Sequence, residues 1–92
     1  MMENKKQYSL LFKAILSLET EKDCADFFED LCTMKELNDM VDRLDVAQCL
    51  LEGETYETIV KKTKMSSATI SRVNRCIQYG SGGYKKILKR IT

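Results

Sequence analysis

No proline interrupts this chain, and its four glycines stand only at positions 53, 80, 82 and 83. Proline removes a backbone donor and breaks helix interiors, and glycine loosens them. A chain almost free of both carries long segments that nothing prevents from being helical. The apolar residues agree, recurring at helical spacing with no strand-like alternation. An all-α fold follows: a small multi-helix domain of 92 residues, without internal repeat or linker. So short a chain buries a modest fraction of its surface and often relies on a partner.

The periodicity predicts a first helix over residues 5–18, with Tyr8, Leu11, Phe12, Ile15, Leu16 and Leu18 covering more than half its circumference. A helix this apolar is expected to be buried on several sides, which points to sharing in a homodimer. Thr20 with Asp23, and Thr33 with Glu36, are spaced as capping boxes for two further helices. The second of these is long, with Leu37, Met40, Val41, Leu44, Ala47, Leu50 and Leu51 as its expected core face, and Gly53 closes it. Thr55 then caps a short helix, "TKMS" makes a tight turn, and "MSSATISRVNRC" opens another helix over 67–79. Gly80 ends that helix, "GSGG" forms a joint, and "YKKILKRIT" is a last amphipathic segment. The single domain 1–92 thus divides into dimerisation helices (1–54), a helix-turn-helix (55–80) and a C-terminal helix (84–92).

Charge separates these parts. Residues 1–54 hold 6 basic and 13 acidic side chains, and residues 55–92 hold 9 and 1, giving −7 and +8. Such asymmetry marks a basic surface for nucleic acid or an anionic membrane, although mutual attraction of the halves is the plainer account. Helix, tight turn, helix with buried branched residues is the spacing of a helix-turn-helix. Val60, Lys64 and Ile70 stand where such units carry a small residue, a turn glycine and a buried branched residue. Ile70 fits, Val60 is bulky, and Lys64 is expected in a left-handed conformation costing roughly 1 kcal/mol. An ordinary helical hairpin explains Ile70, Val73 and Ile77 but not Arg72 and Arg75 on the opposite face. The chain therefore reads as a sequence-specific DNA-binding transcriptional regulator, a repressor, that enters the major groove of double-stranded DNA with helix 67–79. Arg72 is expected at base edges beside Ala68, Thr69 and Arg75, with Lys61, Lys64 and Ser67 at phosphates. The alternative is a helical protein-interaction module that binds no nucleic acid.

Other chemistries find little to build on. Cys24, Cys32, Cys49 and Cys76 are irregularly spaced, and with no histidine they suggest no metal site but reduced, mostly buried thiols in a cytoplasmic protein. No signal segment or membrane span is evident, and "YSLLFKAILSL" is too short to cross a bilayer. "GSGG" lacks the strand and lysine-threonine ending of a phosphate loop. "EKDCADFFED" suits a solvated helix start better than a catalytic carboxylate pair, and no enzyme is expected.

From "TMKELNDMVDRLDVAQCLLEGETYE" through "SSATISRVNRC", the chain resembles the Trp repressor family, in its YerC/YecD-like branch. The resemblance spans roughly Thr33 to Gly83 and is most specific in "LLEGE" and "ATISR". It implies an intertwined all-helical homodimer with a helix-turn-helix reading head on each subunit. It also implies an effector site at Thr33, Arg43, Thr69 and Arg72, where the family's tryptophan lies between two arginines. Two positions depart from the pattern: Val73 replaces a glycine beside the indole slot, and Cys76 replaces a serine that helps hold the amine. The turn before the reading helix is also one residue shorter. A small-molecule corepressor remains compatible with Arg43 and Arg72, but no cofactor is required and no tryptophan response is expected. Arg43 pairing with Asp39 or Asp42 on its own helix is the simpler role, worth about 0.3–0.5 kcal/mol.

Overall fold

The computed structural model describes residues 2–92 and contains six α-helices and, among the described residues, no strand. They are α1 (Ser9–Leu16), α2 (Glu21–Leu31), α3 (Met34–Leu51), α4 (Tyr56–Thr63), α5 (Ser67–Tyr79) and α6 (Gly83–Ile91). The chain forms two compact units, one ending at Met34 and the other spanning Lys35–Thr92. No described helix is long and apolar enough to cross a membrane.

In the first unit, the helix expected over 5–18 is regular only from Ser9 to Leu16, preceded by two 3₁₀ turns, Met2–Asn4 and Lys6–Tyr8. Lys5 offers no side-chain acceptor to the free N–H groups, so a tighter turn carries the chain into the helix. Tyr8 stacks on Phe12 one turn later, with ring centroids 6.1 Å apart. Thr20 caps α2 by accepting from the Asp23 amide at 3.0 Å, and the Asp23 carboxylate accepts from the Glu19 amide at 3.1 Å. The expected burial of the first helix is not met within this chain: among its described residues the unit has no buried side chain, and Leu10 and Leu16 are 79% and 84% exposed.

The second unit holds the core. Val46, Ala47 and Cys49 of α3, Ile59 of α4, Ile70 and Val73 of α5, and Leu88 of α6 are buried together. The expected core face of α3 needs correction, because Val41, Leu44 and Leu51 remain exposed while Val46 and Cys49 take the interior. This helix is apolar on two sides, and the three helices that follow cover only the side carrying 46, 47, 49 and 50. The expectation of mostly buried cysteines also fails. Cys49 is buried and Cys32 partly so, but Cys24 and Cys76 are exposed, and all four are free thiols.

Turns set the angles between the core helices. After α3, the Gly53 amide donates to Leu50 and the Glu54 amide to Cys49, the paired bonds of a Schellman stop, with Gly53 at φ +84°. Thr55 caps α4 by accepting from the Thr58 amide at 3.2 Å. Lys64 ends α4 at φ 60°, ψ 17°, the left-handed conformation expected of it. On either side of it, the Thr63 hydroxyl donates to the Ile59 carbonyl at 2.7 Å and accepts from the Met65 amide at 3.2 Å. One threonine thus ties both ends of the turn.

The two left-handed positions predict opposite outcomes. Lys64→Gly removes a backbone penalty and is expected to raise stability by about 0.5–1 kcal/mol, whereas Gly53→Ala introduces one and lowers it by about 1 kcal/mol. Urea unfolding of the two variants checks both signs, and a Lys64→Gly protein less stable than the parent would show that Lys64 is relaxed.

Candidate nucleic-acid interface

Helix α5 starts where its sequence offers a cap. The Ser66 side chain accepts from the Thr69 amide at 3.2 Å and lies 3.1 Å from the Thr69 hydroxyl. Ser67 and Ala68 stand exposed on the first turn, so the open N–H groups and the positive end of the helix dipole face solvent behind small side chains. Ile70 and Val73, 0% and 2% exposed, fix the rotation of the helix about its axis. That rotation turns Arg72 and Arg75 outward. Neither arginine has a carboxylate within ion-pair distance among the described residues.

The lysines before the turn occupy different settings. Lys61 is exposed, with its ammonium 3.7 Å from Glu57 one turn earlier. Lys64 projects from the left-handed residue of the turn itself and is exposed. Lys62 reaches back to the residue after Gly53, its ammonium 2.9 and 3.2 Å from the two Glu54 carboxylate oxygens.

The Glu54 amide also donates to the Cys49 carbonyl at 3.1 Å, and the buried Cys49 thiol lies beside the carboxylate. Glu54 therefore clasps the end of α3 to the end of α4. Hydrogen bonding from Lys62, then from Cys49, holds the Glu54 carboxyl below its ordinary range. The same contact pushes the Lys62 ammonium above its own. Burial, then the Glu54 contact, raises the Cys49 thiol, which keeps it protonated as a donor. No local pattern points to this clasp, since Glu54 and Lys62 are eight residues apart across a helix boundary.

Between α3 and α5 lies an open cleft of about 280 Å³ that brings Arg43, Thr69 and Arg72 together over Met65 and Val73. Thr33 belongs to the first unit, directly before α3. Asp39 and Asp42 also line the cleft, a placement beyond their expected role as partners for Arg43. Arg43 makes no ion pair among the described residues, while Asp39 is held by Lys35 at 3.3 Å. The Val73 side chain is almost fully buried, so its methyl groups occupy space that a glycine at this position would leave open.

This arrangement of helices has counterparts among known proteins. The Trp repressor protein family model matches residues 6–92. The chain belongs to the Trp repressor family. It is 46% identical over 86 residues to YerC of Bacillus subtilis, covering 94% of this chain and 83% of that protein. It also superimposes on a TrpR-like protein from Eubacterium eligens with a TM-score of 0.90 at 44% identity, covering 96% of this chain and 91% of the other. A candidate Trp repressor from Staphylococcus aureus gives a TM-score of 0.90 at 42% identity, with 98% and 90% covered. The relationship extends beyond the stretch from Thr33 to Gly83 that carries the motif resemblance. The family is one of DNA-binding transcription regulators.

The clasp carries a pH signature. Because the folded Glu54 value is depressed, its contribution is complete above the unfolded carboxylate value, about 4.3, and is lost as pH falls through the folded value. Because the folded Lys62 value is raised, its contribution is complete below about 10.4 and is lost as pH rises through the folded value. Glu54→Gln is expected to flatten part of both losses in urea unfolding across pH. An unchanged acid limb would show that the clasp contributes nothing to stability.

Proposed function

We propose that this protein is a sequence-specific transcriptional repressor that places the first turns of α5 in the DNA major groove. The observation that carries this reading is the outward pair Arg72 and Arg75 on a capped helix whose opposite face is locked in the core. Arg72 addresses base edges, where a bidentate contact to guanine discriminates by about 1–3 kcal/mol. Ala68 and Thr69 approach beside it, and Arg75 follows one turn on. Ser67, Lys61 and Lys64 bind phosphates, with Lys61 exchanging its exposed Glu57 partner for the DNA backbone.

Repression is carried out by a homodimer acting in the cytoplasm. The exposed apolar residues of α1, among them Leu10 and Leu16, and separately those of the uncovered side of α3, among them Val41 and Leu44, each offer apolar surface for a second copy to cover. Two reading helices then sit about 34–36 Å apart and select a near-palindromic site. Tryptophan is not the corepressor, because the buried Val73 fills part of the space that a flat indole needs. Arg43, Thr69 and Arg72 remain able to hold a smaller carboxylate, and Thr33 directly precedes the helix that carries Arg43. Such a ligand is not required for DNA binding.

Arg72→Ala is expected to weaken binding to the preferred site by about 5- to 150-fold while leaving nonspecific binding nearly intact. Gel shifts on sites selected from a random pool, repeated across salt concentrations, check this. Binding that stays constant with salt would remove the electrostatic basis of the reading. Calorimetric titration with L-tryptophan is expected to be silent, and saturable heat at sub-millimolar ligand would overturn the assignment of Val73 as a block.

A further inference from the structure

Helix α6 carries Lys85, Lys86, Lys89 and Arg90, all exposed, and no acidic residue follows Glu57 anywhere in the chain. Among the described residues none of the four has a carboxylate within ion-pair distance, whereas Lys35, Lys61 and Lys62 each have one, although Glu52 of α3 lines the same open cavity as Lys85 and Lys89. A solvated charged face is the ordinary explanation for such a run, and the helix dipole accounts for Lys89 and Arg90 in the last turn. It does not account for Lys85 and Lys86. They sit in the first turn, where the dipole repels cations. Lys85 with Lys89, and Lys86 with Arg90, are moreover like-charged neighbours at i, i+4, an arrangement that weakens an isolated helix. An anionic partner reverses both penalties.

The placement of α6 favours one partner. Its Leu88 is buried in the same cluster as Ile70 and Val73 of the reading helix, and only Gly80–Gly82 separate the two helices in the chain. At Gly80 a side chain would run into the Cys76 carbonyl, so the connection is tight. The cations of α6 are therefore carried by the same compact unit as Arg72 and Arg75. We propose that Lys85, Lys86, Lys89 and Arg90 form a second phosphate-binding face, which extends the contact with duplex DNA beyond the helix-turn-helix. This rests on the DNA-binding function proposed above. Contacts of this kind add affinity and salt dependence but carry no base information.

The test compares the full-length protein with a variant carrying Lys85→Gln, Lys86→Gln, Lys89→Gln and Arg90→Gln, and with a charge-retaining variant carrying Lys85→Arg, Lys86→Arg and Lys89→Arg. Circular dichroism melts accompany each. The probe is a duplex of the selected site with long flanks, alongside a scrambled duplex, titrated at several salt concentrations. Removing one phosphate interaction lowers the steepness of log K against log salt by about 0.9. The glutamine variant is expected to fall by at least about one unit of slope and tenfold in low-salt affinity on both duplexes, with its preferred sequence unchanged. The arginine variant is expected to keep the parent slope. An equal slope for parent and glutamine variant overturns the proposal while leaving the reading head in place. A shallower slope in the arginine variant as well overturns it by showing a structural effect. A parent that binds neither duplex removes the DNA-binding function itself and this face with it. A glutamine variant with parental DNA binding but reduced binding to phosphatidylglycerol-containing vesicles assigns the face to a membrane surface and overturns the proposal.

Discussion

The burial of Ile59, Ile70 and Val73 against Val46 and Ala47 is the constraint on which the second unit depends. Five side chains from three helices meet in a cluster in which each is essentially excluded from water, and each branched residue removed from it would cost roughly 1–4 kcal/mol. The cluster does more than hold the helices together. A helix can rotate about its axis with little change in its own hydrogen bonds, and the burial of Ile70 and Val73 removes that freedom from α5. The direction of Arg72 and Arg75 is a consequence of what lies on the opposite side of their helix.

The turns serve the same end by local means. Gly53 stops α3 with paired backbone bonds, and Lys64 reverses the chain at a left-handed residue where glycine would be less strained. Thr63 bonds to the chain on both sides of that residue, which offsets part of the strain. Glu54 adds a polar tie between α3 and α4 through Cys49 and Lys62. Backbone geometry, a hydroxyl and an ionic clasp thus converge on the two short segments that set where α5 lies.

The cleft between α3 and α5 separates the shape of a family from its chemistry. Arg43, Arg72 and Thr69 line it without Thr33, and a buried valine and two carboxylates, Asp39 and Asp42, line it with them. Cations without an ion-pair partner beside nearby acids leave the cleft electrically mixed. Helix α5 is meanwhile held in place by the apolar packing of Ile70 and Val73 against α3 and α4.

The sequence by itself determined the helices and most of their ends. Missing proline, helical spacing, and hydroxyl caps at Thr20, Thr55 and Ser66 are local signals, read within one or two turns of chain. The left-handed Lys64 was legible for the same reason, because a tight turn between two helices leaves few backbone conformations. The outward position of Arg72 and Arg75 followed from the stripe of Ile70, Val73 and Ile77. Only the tertiary structure decided which side of α3 is core, since that helix is apolar on two sides and periodicity cannot rank them. It alone revealed the Glu54–Lys62–Cys49 clasp and the carboxylates in the cleft, because these contacts join residues whose neighbourhood depends on how separate helices pack. Local hydrogen bonding is written in adjacent residues, whereas the choice between two apolar faces belongs to whatever surface arrives to cover one of them.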